Sequence, residues 1–327
     1  MKELSIYIHI PFCISKCFYC DFISFTNKNN LIEKYIDSIC LEILENINIL
    51  ENYIIKSIYI GGGTPSYIDS KYIVKIFDIL NMYITKDTSI TIEVNPNSLT
   101  ESKLIDYLKC NINRVSIGLQ SSDDNILKNI GRSHTYKDFL NVYNLLKKYN
   151  VNNINVDLIY PLPGLDIKIL NDTLDKILAL DIPHISVYNL EIHENTKLDF
   201  LLKNNFLKLP NEDIEYEMKE LIENKLKKNM YNKYEISNFS KEGFESIHNL
   251  NYWNQGYYLG FGVCSSSFLN STRYSNIDNI EDYINYYLYN DKKINIIKES
   301  SDLDDNELIK EYIILKLRLD KGVSILT

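Results

Sequence analysis

Along the first 200 residues, short runs of alternating apolar character trade places with longer stretches whose apolar positions recur every three or four residues. The alternating runs predict strands at 5–10 (SIYIHI), 57–61 (SIYIG), 89–95 (SITIEVN), 114–120 (RVSIGLQ), 154–160 (INVDLIY) and 184–190 (HISVYNL). The helical period covers 31–50, 71–83, 101–109, 136–148 and 166–180; in the first, Leu31, Tyr35, Ile36, Ile39, Ile43 and Leu44 carry it. Six strand–helix units in a row imply a parallel sheet, because a crossover between parallel strands needs a helix.

In such folds functional groups gather at the carboxyl ends of the strands. The chemically distinctive residues fall there in every unit: a cysteine cluster after the first strand, Gly61-Gly62-Gly63-Thr64-Pro65 after the second, then Glu93, Gln120, Asp157 and Tyr188. Beyond about residue 200 the pattern changes to a charged helix (212–229), KYEISNF (233–239), a Gly/Ser/aromatic-rich stretch (252–268) and helical patterns at 277–289 and 303–318. The expected organisation is an α/β part over residues 1–200 and a smaller α+β domain over 201–327 packed against its mouth. The last residues, KLRLDKGVSILT, read as the start of another element, so the second domain is expected to be truncated.

Composition narrows the classes. A net charge of −9 among 327 residues argues against a general nucleic-acid or acidic-membrane binder. The 26 tyrosines and single tryptophan belong to a bias in Ile, Asn, Lys and Tyr that runs through the whole chain, which weakens any argument from one tyrosine. No basic-then-apolar leader opens the sequence, and no window reaches the 18 or so apolar residues of a membrane span, so a cytoplasmic address is expected. Six cysteines, three of them clustered, suit metal binding better than a disulfide framework.

That cluster, Cys13, Cys17 and Cys20 in YIHIPFCISKCFYCDF, has C-x3-C-x2-C spacing. Three thiolates so close on a loop can chelate one compact centre, and thiolates are the usual ligands of iron–sulfur clusters. Three ligands on a [4Fe–4S] cube leave one iron open to an amine and a carboxylate, as radical S-adenosylmethionine (SAM) chemistry requires. Zinc is the alternative, but it wants four closed ligands, and Cys40 and Cys110 lie in helical patterns without matching partners. The glycine triplet lets backbone approach a ligand and aim N–H groups at an anion, or is simply a tight turn. Glu93 can accept from an amine or ribose, Arg132 can fork onto a carboxylate, and Asp157 is a charge in an apolar strand that needs a partner or a function. His248, beside the only Trp, is a candidate haem ligand or an interdomain histidine satisfied by hydrogen bonds. His184 reads as structural and His193 as solvated.

Taken together, YIHIPFCxxxCxYCDF, GGGTP, RVSIGLQS, GRSH, VDLIY, YEISNF and HNLNYW resemble the radical SAM family of the anaerobic coproporphyrinogen III oxidases and the HemW-type haem chaperones, over about residues 5–263. The resemblance implies a partial (β/α)6 barrel, a cluster on Cys13, Cys17 and Cys20, and SAM near Tyr7, Tyr19, Gly62, Gly63, Thr64, Glu93, Gln120, Arg132 and Asp157. The oxidases carry a fourth cysteine two places after the third; here that place is Phe22, whereas CDF and the His248–Trp253 segment resemble the chaperones. Pro161, the Asn189/His193/Glu194 segment and the 260–266 loop depart from the family pattern.

The expected function is therefore a haem chaperone with a [4Fe–4S] cluster and SAM, handing haem to an acceptor protein, with an electron donor as a further partner if SAM is cleaved. A coproporphyrinogen III oxidase is the runner-up, and a degenerate relative that keeps the cluster only as structure is third. Whether the protein is an enzyme is left open at this point.

Overall fold

Alternation along the strands sets the architecture. In the computed structural model, which describes residues 1–324, six strand–helix units follow one another. They are β1 (Lys2–Ile10), α1 (Ile32–Glu45) with one-turn α2 (Ile47–Leu50), β2 (Tyr53–Gly62), α3 (Ser70–Leu80), β3 (Ser89–Val94), α4 (Glu101–Lys109), β4 (Arg114–Gln120), α5 (Asp124–Asn129), α6 (Tyr136–Lys148), β5 (Ile154–Tyr160), α7 (Ile167–Leu178) and β6 (His184–Asn189). Then come α8 (Lys197–Lys203), α9 (Glu212–Lys228), β7 (Asn232–Lys233), β8 (Asn238–Ser240), α10 (Ile247–Trp253), β9 (Tyr258–Phe261), β10 (Ser266–Leu269), β11 (Thr272–Asn276), α11 (Ile280–Leu288), β12 (Ile297–Asp302) and α12 (Asp305–Lys316).

The strands join in one sheet in the order β12-β11-β10-β9-β1-β2-β3-β4-β5-β6-β8-β7, parallel from β1 through β6. The parallel run with its crossover helices is the partial (β/α)6 barrel that was expected, with a smaller C-terminal α+β portion. Segments beyond residue 200 extend both edges: β9 runs parallel to β1, and β8 runs antiparallel to β6. The division expected near residue 200 thus lies beside a hydrogen-bonded sheet that is unbroken across it. The expected start of a further element reaches into 325–327, which lie outside the described residues.

Helix ends follow local chemistry. Thr100, Thr135 and Asp166 cap α4, α6 and α7 with their side chains, and Thr135 with Asp138 forms a full capping box. The pattern over 31–50 breaks at Asn46, whose backbone leaves the helical region (φ −105°, ψ 11°), so one expected helix becomes α1 and α2.

One face of each strand is apolar and sealed by the helices. Ile6, Ile8, Ile58, Ile60, Ile90, Ile92, Ile117, Val156 and Ile185 are all buried. Replacing such an isoleucine by alanine costs about 2–5 kcal/mol. The alternate positions, which in most parallel sheets would also be apolar, are polar or aromatic and line the inside of the barrel. Ser57 donates to Ser5 Oγ (2.8 Å), and Asn155 Nδ2 donates to Ser116 Oγ and Asp157 Oδ1 (both 2.8 Å). His184 Nδ1 meets Asn155 Oδ1 at 2.6 Å. Since that oxygen can only accept, Nδ1 carries the proton and Nε2 accepts from Tyr234 OH (2.8 Å). The result is a polar shaft with a rim at the strands' carboxyl ends and a floor at their amino ends.

Candidate cofactor site

The rim is built from the loop after β1. Cys13 N–H donates to Phe25 O (3.1 Å), Gly63 N–H to Ile10 O (2.9 Å) and Thr64 N–H to Phe12 O (2.9 Å), lacing the cysteine loop to the glycine loop after β2. Phe18 N–H reaches Ile130 O (2.9 Å), and Leu198 N–H donates to Phe18 O (2.7 Å), tying the loop to the end of α5 and to α8. Two glycines make the close approach possible. A Cβ on Gly63 would meet Phe12 N and O at 2.9 Å and Cys13 Sγ at 3.0 Å. At Gly131, φ is +75° and a Cβ would lie 2.4 Å from the Phe18 ring.

This rim encloses a cavity of about 430 Å³, within the usual range for small-molecule sites. Its walls include Cys13, Cys17, Cys20, Tyr19, Gly62, Gly63, Thr64, Glu93, Gln120, Arg132 and Asp157, eleven residues drawn from five consecutive units of the chain. Tyr59, Asn95, Ser24 and Tyr188 line it as well. Of these, Tyr188 was expected at the rim, and Tyr59 could have been anticipated, because strand alternation puts it on the same face as Gly61.

Tyr7 and His248 lie elsewhere. Tyr7 points into the shaft and its hydroxyl meets His9 Nδ1 at 2.9 Å. His248 is 3 % exposed on α10 at the floor, on the far side of the shaft from the cysteines. Its Nδ1 meets Ser57 Oγ (2.9 Å) and its Nε2 meets Tyr252 OH (3.0 Å). Ser57's one hydroxyl proton goes to Ser5, so Nδ1–H donates to Ser57 and Nε2 accepts from Tyr252. The hydrogen-bonded reading of His248 matches this arrangement, and no ring nitrogen is open to an iron. Sequence alone could not settle this, because a helix of seven residues does not reveal which side faces inward.

Electrostatics at the rim favour a polar ligand. Glu93 accepts from Tyr59 OH (2.8 Å) and from Gly62 N–H (3.2 Å), yet burial raises its carboxyl to about 7, with the Asp157 charge adding to the rise. Burial also raises Asp157, against hydrogen bonds from Asn155, Ser186 and Ser116. Arg132 donates to Gly118 O (2.8 Å) and to Cys17 Sγ (3.4 Å), placing a permanent cation beside the thiols. Gln120 holds φ +67°, a left-handed conformation unusual for a residue with a side chain. Ser24 Oγ, Asn95 Oδ1, Gln120 Oε1 and Arg132 Nε are buried in this wall without hydrogen-bond partners.

Those unpartnered atoms, with three thiols on one wall, fit an anionic and aminated ligand beside a thiolate-held centre. Among the described residues no three His, Cys, Asp or Glu side chains are gathered for a single bare ion. Zinc wants four closed ligands, whereas three thiolates at one end of a cavity suit the irons of one cluster. Burial raises Cys13, and it pushes Cys20 up to about 11 with Cys17 adding to the rise; both stay thiols until a metal displaces the protons. All six cysteines are free.

The departures from the family pattern are accommodated. In the 260–266 loop, Gly262 (φ +101°) donates to Glu42 Oε2 (2.7 Å) and Val263 N–H to Tyr35 OH (3.0 Å). Tyr35 OH in turn donates to His9 O (2.9 Å), so the altered loop is anchored next to the cysteine strand. His193 lines the cavity mouth with Nδ1 3.3 Å from Asp21.

Comparison with known proteins agrees with this geometry. The sequence pattern of the radical SAM superfamily matches residues 7–177. The chain is 33% identical over 323 residues to the heme chaperone HemW of Bacillus subtilis, covering 98% of this chain and 84% of that one. It is 36% identical over 329 residues to the heme chaperone HemW of Buchnera aphidicola from Acyrthosiphon pisum, covering 99% and 85%. Among solved structures, the coproporphyrinogen III oxidase HemN of Escherichia coli superposes with a TM-score of 0.83 at 22% identity, covering 97% of this chain and 76% of that one. That superposition speaks for the fold. Among the described residues no helix is long and apolar enough to cross a membrane.

Proposed function

The chain belongs to the radical SAM superfamily and, within it, to the family of the HemW haem chaperones, and from that premise we propose that it binds one haem and delivers it to an acceptor protein in the cytoplasm. The observation that carries this reading is similarity along nearly the whole chain, at about a third identity, to proteins described as haem chaperones. A reducing compartment suits six free thiols.

In this reading Cys13, Cys17 and Cys20 hold a [4Fe–4S] cluster. Bound there, the cluster supplies an open iron for SAM's amine and carboxylate and an electron for its sulfonium. The chain's own residues do the positioning. Glu93, held by Tyr59 and Gly62, accepts from the ligand's donors; Arg132 and Gln120 offer the unpaired polar atoms that a carboxylate or ribose satisfies; Gly62 and Gly63 let backbone close on the ligand. Tyr19 and Tyr188 add aromatic surface to the same cavity.

Haem ligation by His248 requires Tyr252 to give up the ring nitrogen that it now occupies. Haem titration of the anaerobically reconstituted protein, followed at the Soret band, tests the function. Stoichiometric binding supports a chaperone, and loss of binding in His248→Ala would place the ligand on α10. The oxidase is the second reading, and Phe22 is the observation against it: where an oxidase has its fourth cysteine, this chain exposes a phenyl ring to 66 % at the cavity edge. Absence of specific haem binding together with coproporphyrinogen turnover would overturn the chaperone reading. Formation of 5′-deoxyadenosine under reducing conditions decides separately whether SAM is cleaved.

A further inference from the structure

Tyr59 touches both the cavity wall and helix α10. Its hydroxyl donates to Glu93 Oε1 at 2.8 Å in the cavity wall. Its ring stacks on His248 of α10, with centroids 5.1 Å apart and an interplanar angle of 28°. Glu93 continues the chain upward to Gly62 N–H (3.2 Å) in the glycine loop. His248 continues it downward to Tyr252, whose ring it meets edge-on at 4.9 Å. Nothing loose separates these groups, because a Cβ on Gly61 would lie 2.9 Å from the Tyr59 ring and 3.0 Å from Glu93 Oε1.

Helix α10 is suited to respond. It has only seven residues, a single side-chain cap from Ser246, and an outer side where Ile247 is 44 % exposed. Its last residue is the chain's one tryptophan, Trp253, whose indole lies against Arg318 with the guanidinium carbon 4.4 Å from the ring centroid.

We infer that Tyr59 is a positioning residue that couples the cavity to helix α10, so that a ligand engaging Glu93 shifts α10 through the Tyr59–His248 stack, and displacement of α10 weakens that ligand. The inference rests on the reading of the cavity as a SAM site. Linkage makes the coupling reciprocal. A ligand taking hydrogen bonds from or giving them to Glu93 competes with or reinforces the Tyr59 hydroxyl, and the ring to which that hydroxyl belongs is the surface on which His248 rests.

The test uses the reconstituted full chain, SAM as the probe, calorimetry for affinity and Trp253 emission for α10. In the wild type, SAM changes Trp253 emission with the same midpoint as its calorimetric binding. Tyr59→Phe keeps the ring and loses the hydroxyl; it binds SAM roughly fivefold more weakly, a coupling of ordinary size, and Trp253 no longer responds. A double-mutant cycle adds a readout that mere packing would not move: His248→Ala lowers SAM affinity in the wild-type background and has no further effect in Tyr59→Phe. A wild type that binds SAM with a silent Trp253, or a full response in Tyr59→Phe, overturns the coupling and leaves the cavity assignment standing. No SAM binding to the wild type overturns both.

Discussion

At the rim of the shaft, Ser24 Oγ, Asn95 Oδ1, Gln120 Oε1 and Arg132 Nε are buried with no partner. At the floor, both nitrogens of His184 and both of His248 are bonded, as are Ser57 and Asn155. Near that level Arg114 Nε, Asn153 Oδ1, Ser240 Oγ and Trp253 Nε1 also lack hydrogen-bond partners, but none of them lines the cavity. Both ends use the same short menu of serine, asparagine, tyrosine and charged side chains. An unmet buried group costs about 1–3 kcal/mol, so a cluster of them is sustained where a ligand can satisfy them. Groups bonded to one another, as around His184 and His248, meet what structure alone requires. The difference separates a site from a scaffold more sharply than residue type does, and it moves His248 to the scaffold side in this conformation.

The contrast can be broken most completely at the thiols. Cys17→Ala should reduce the iron and sulfide retained after reconstitution to background while leaving the thermal unfolding of the apo-protein nearly unchanged, because the half-buried Cys17 thiol makes only weak sulfur hydrogen bonds, a long one from Arg132 (3.4 Å) and one with Tyr19. Gly63→Ala comes next. The added methyl forces Phe12 and Cys13 away, at a cost of about 1–3 kcal/mol, and SAM affinity by calorimetry should fall more than tenfold.

His248→Ala attacks the scaffold. It leaves Ser57 and Tyr252 without their partner and opens a hole beside Tyr59, so urea unfolding should show a loss of about 2–4 kcal/mol. The same residue sharpens the comparison through pH. Burial holds His248 down to about 3, below its value in the unfolded chain of about 6.5, so the unfolded state takes up a proton first as the medium acidifies. Its contribution is present above pH 6.5 and is lost progressively from there toward pH 3. Between pH 6.5 and 5, His248→Gln should therefore lose less stability than the wild type, by up to about 1.4 kcal/mol per pH unit.

The smallest effect lies at the rim. Gln120→Met removes an unpartnered oxygen with little change of shape, so the apo-protein should be unchanged or more stable by up to about 1 kcal/mol, while SAM binding weakens. A destabilised apo-protein would mean that the rim is structural like the floor.

Much of this was legible beforehand. The strands at 114–120 and 154–160 and the helices at 101–109 and 136–148 form over those same residues, because alternation and capping residues are local signals. Eleven of the thirteen residues expected at the cluster, SAM or haem sites line one cavity, because each follows or ends a strand of a parallel sheet. The short helices α5, α8 and α10 went unread, since six or seven residues carry too few turns to show a period.

The sequence by itself determined which side chains exist at each strand end, that three cysteines fall on one loop, and that Phe22 replaces a fourth. It determined the fold class as well, since the order of strands and helices admits few alternatives. Only the tertiary structure decided which polar groups find partners. His248 and Arg132 look equally available along the chain, but whether a buried donor or acceptor is satisfied depends on residues far away in sequence. Ser57 lies 191 positions from His248 and closes one of its nitrogens, while Arg132 Nε, brought against Cys17 from 115 positions away, is left open.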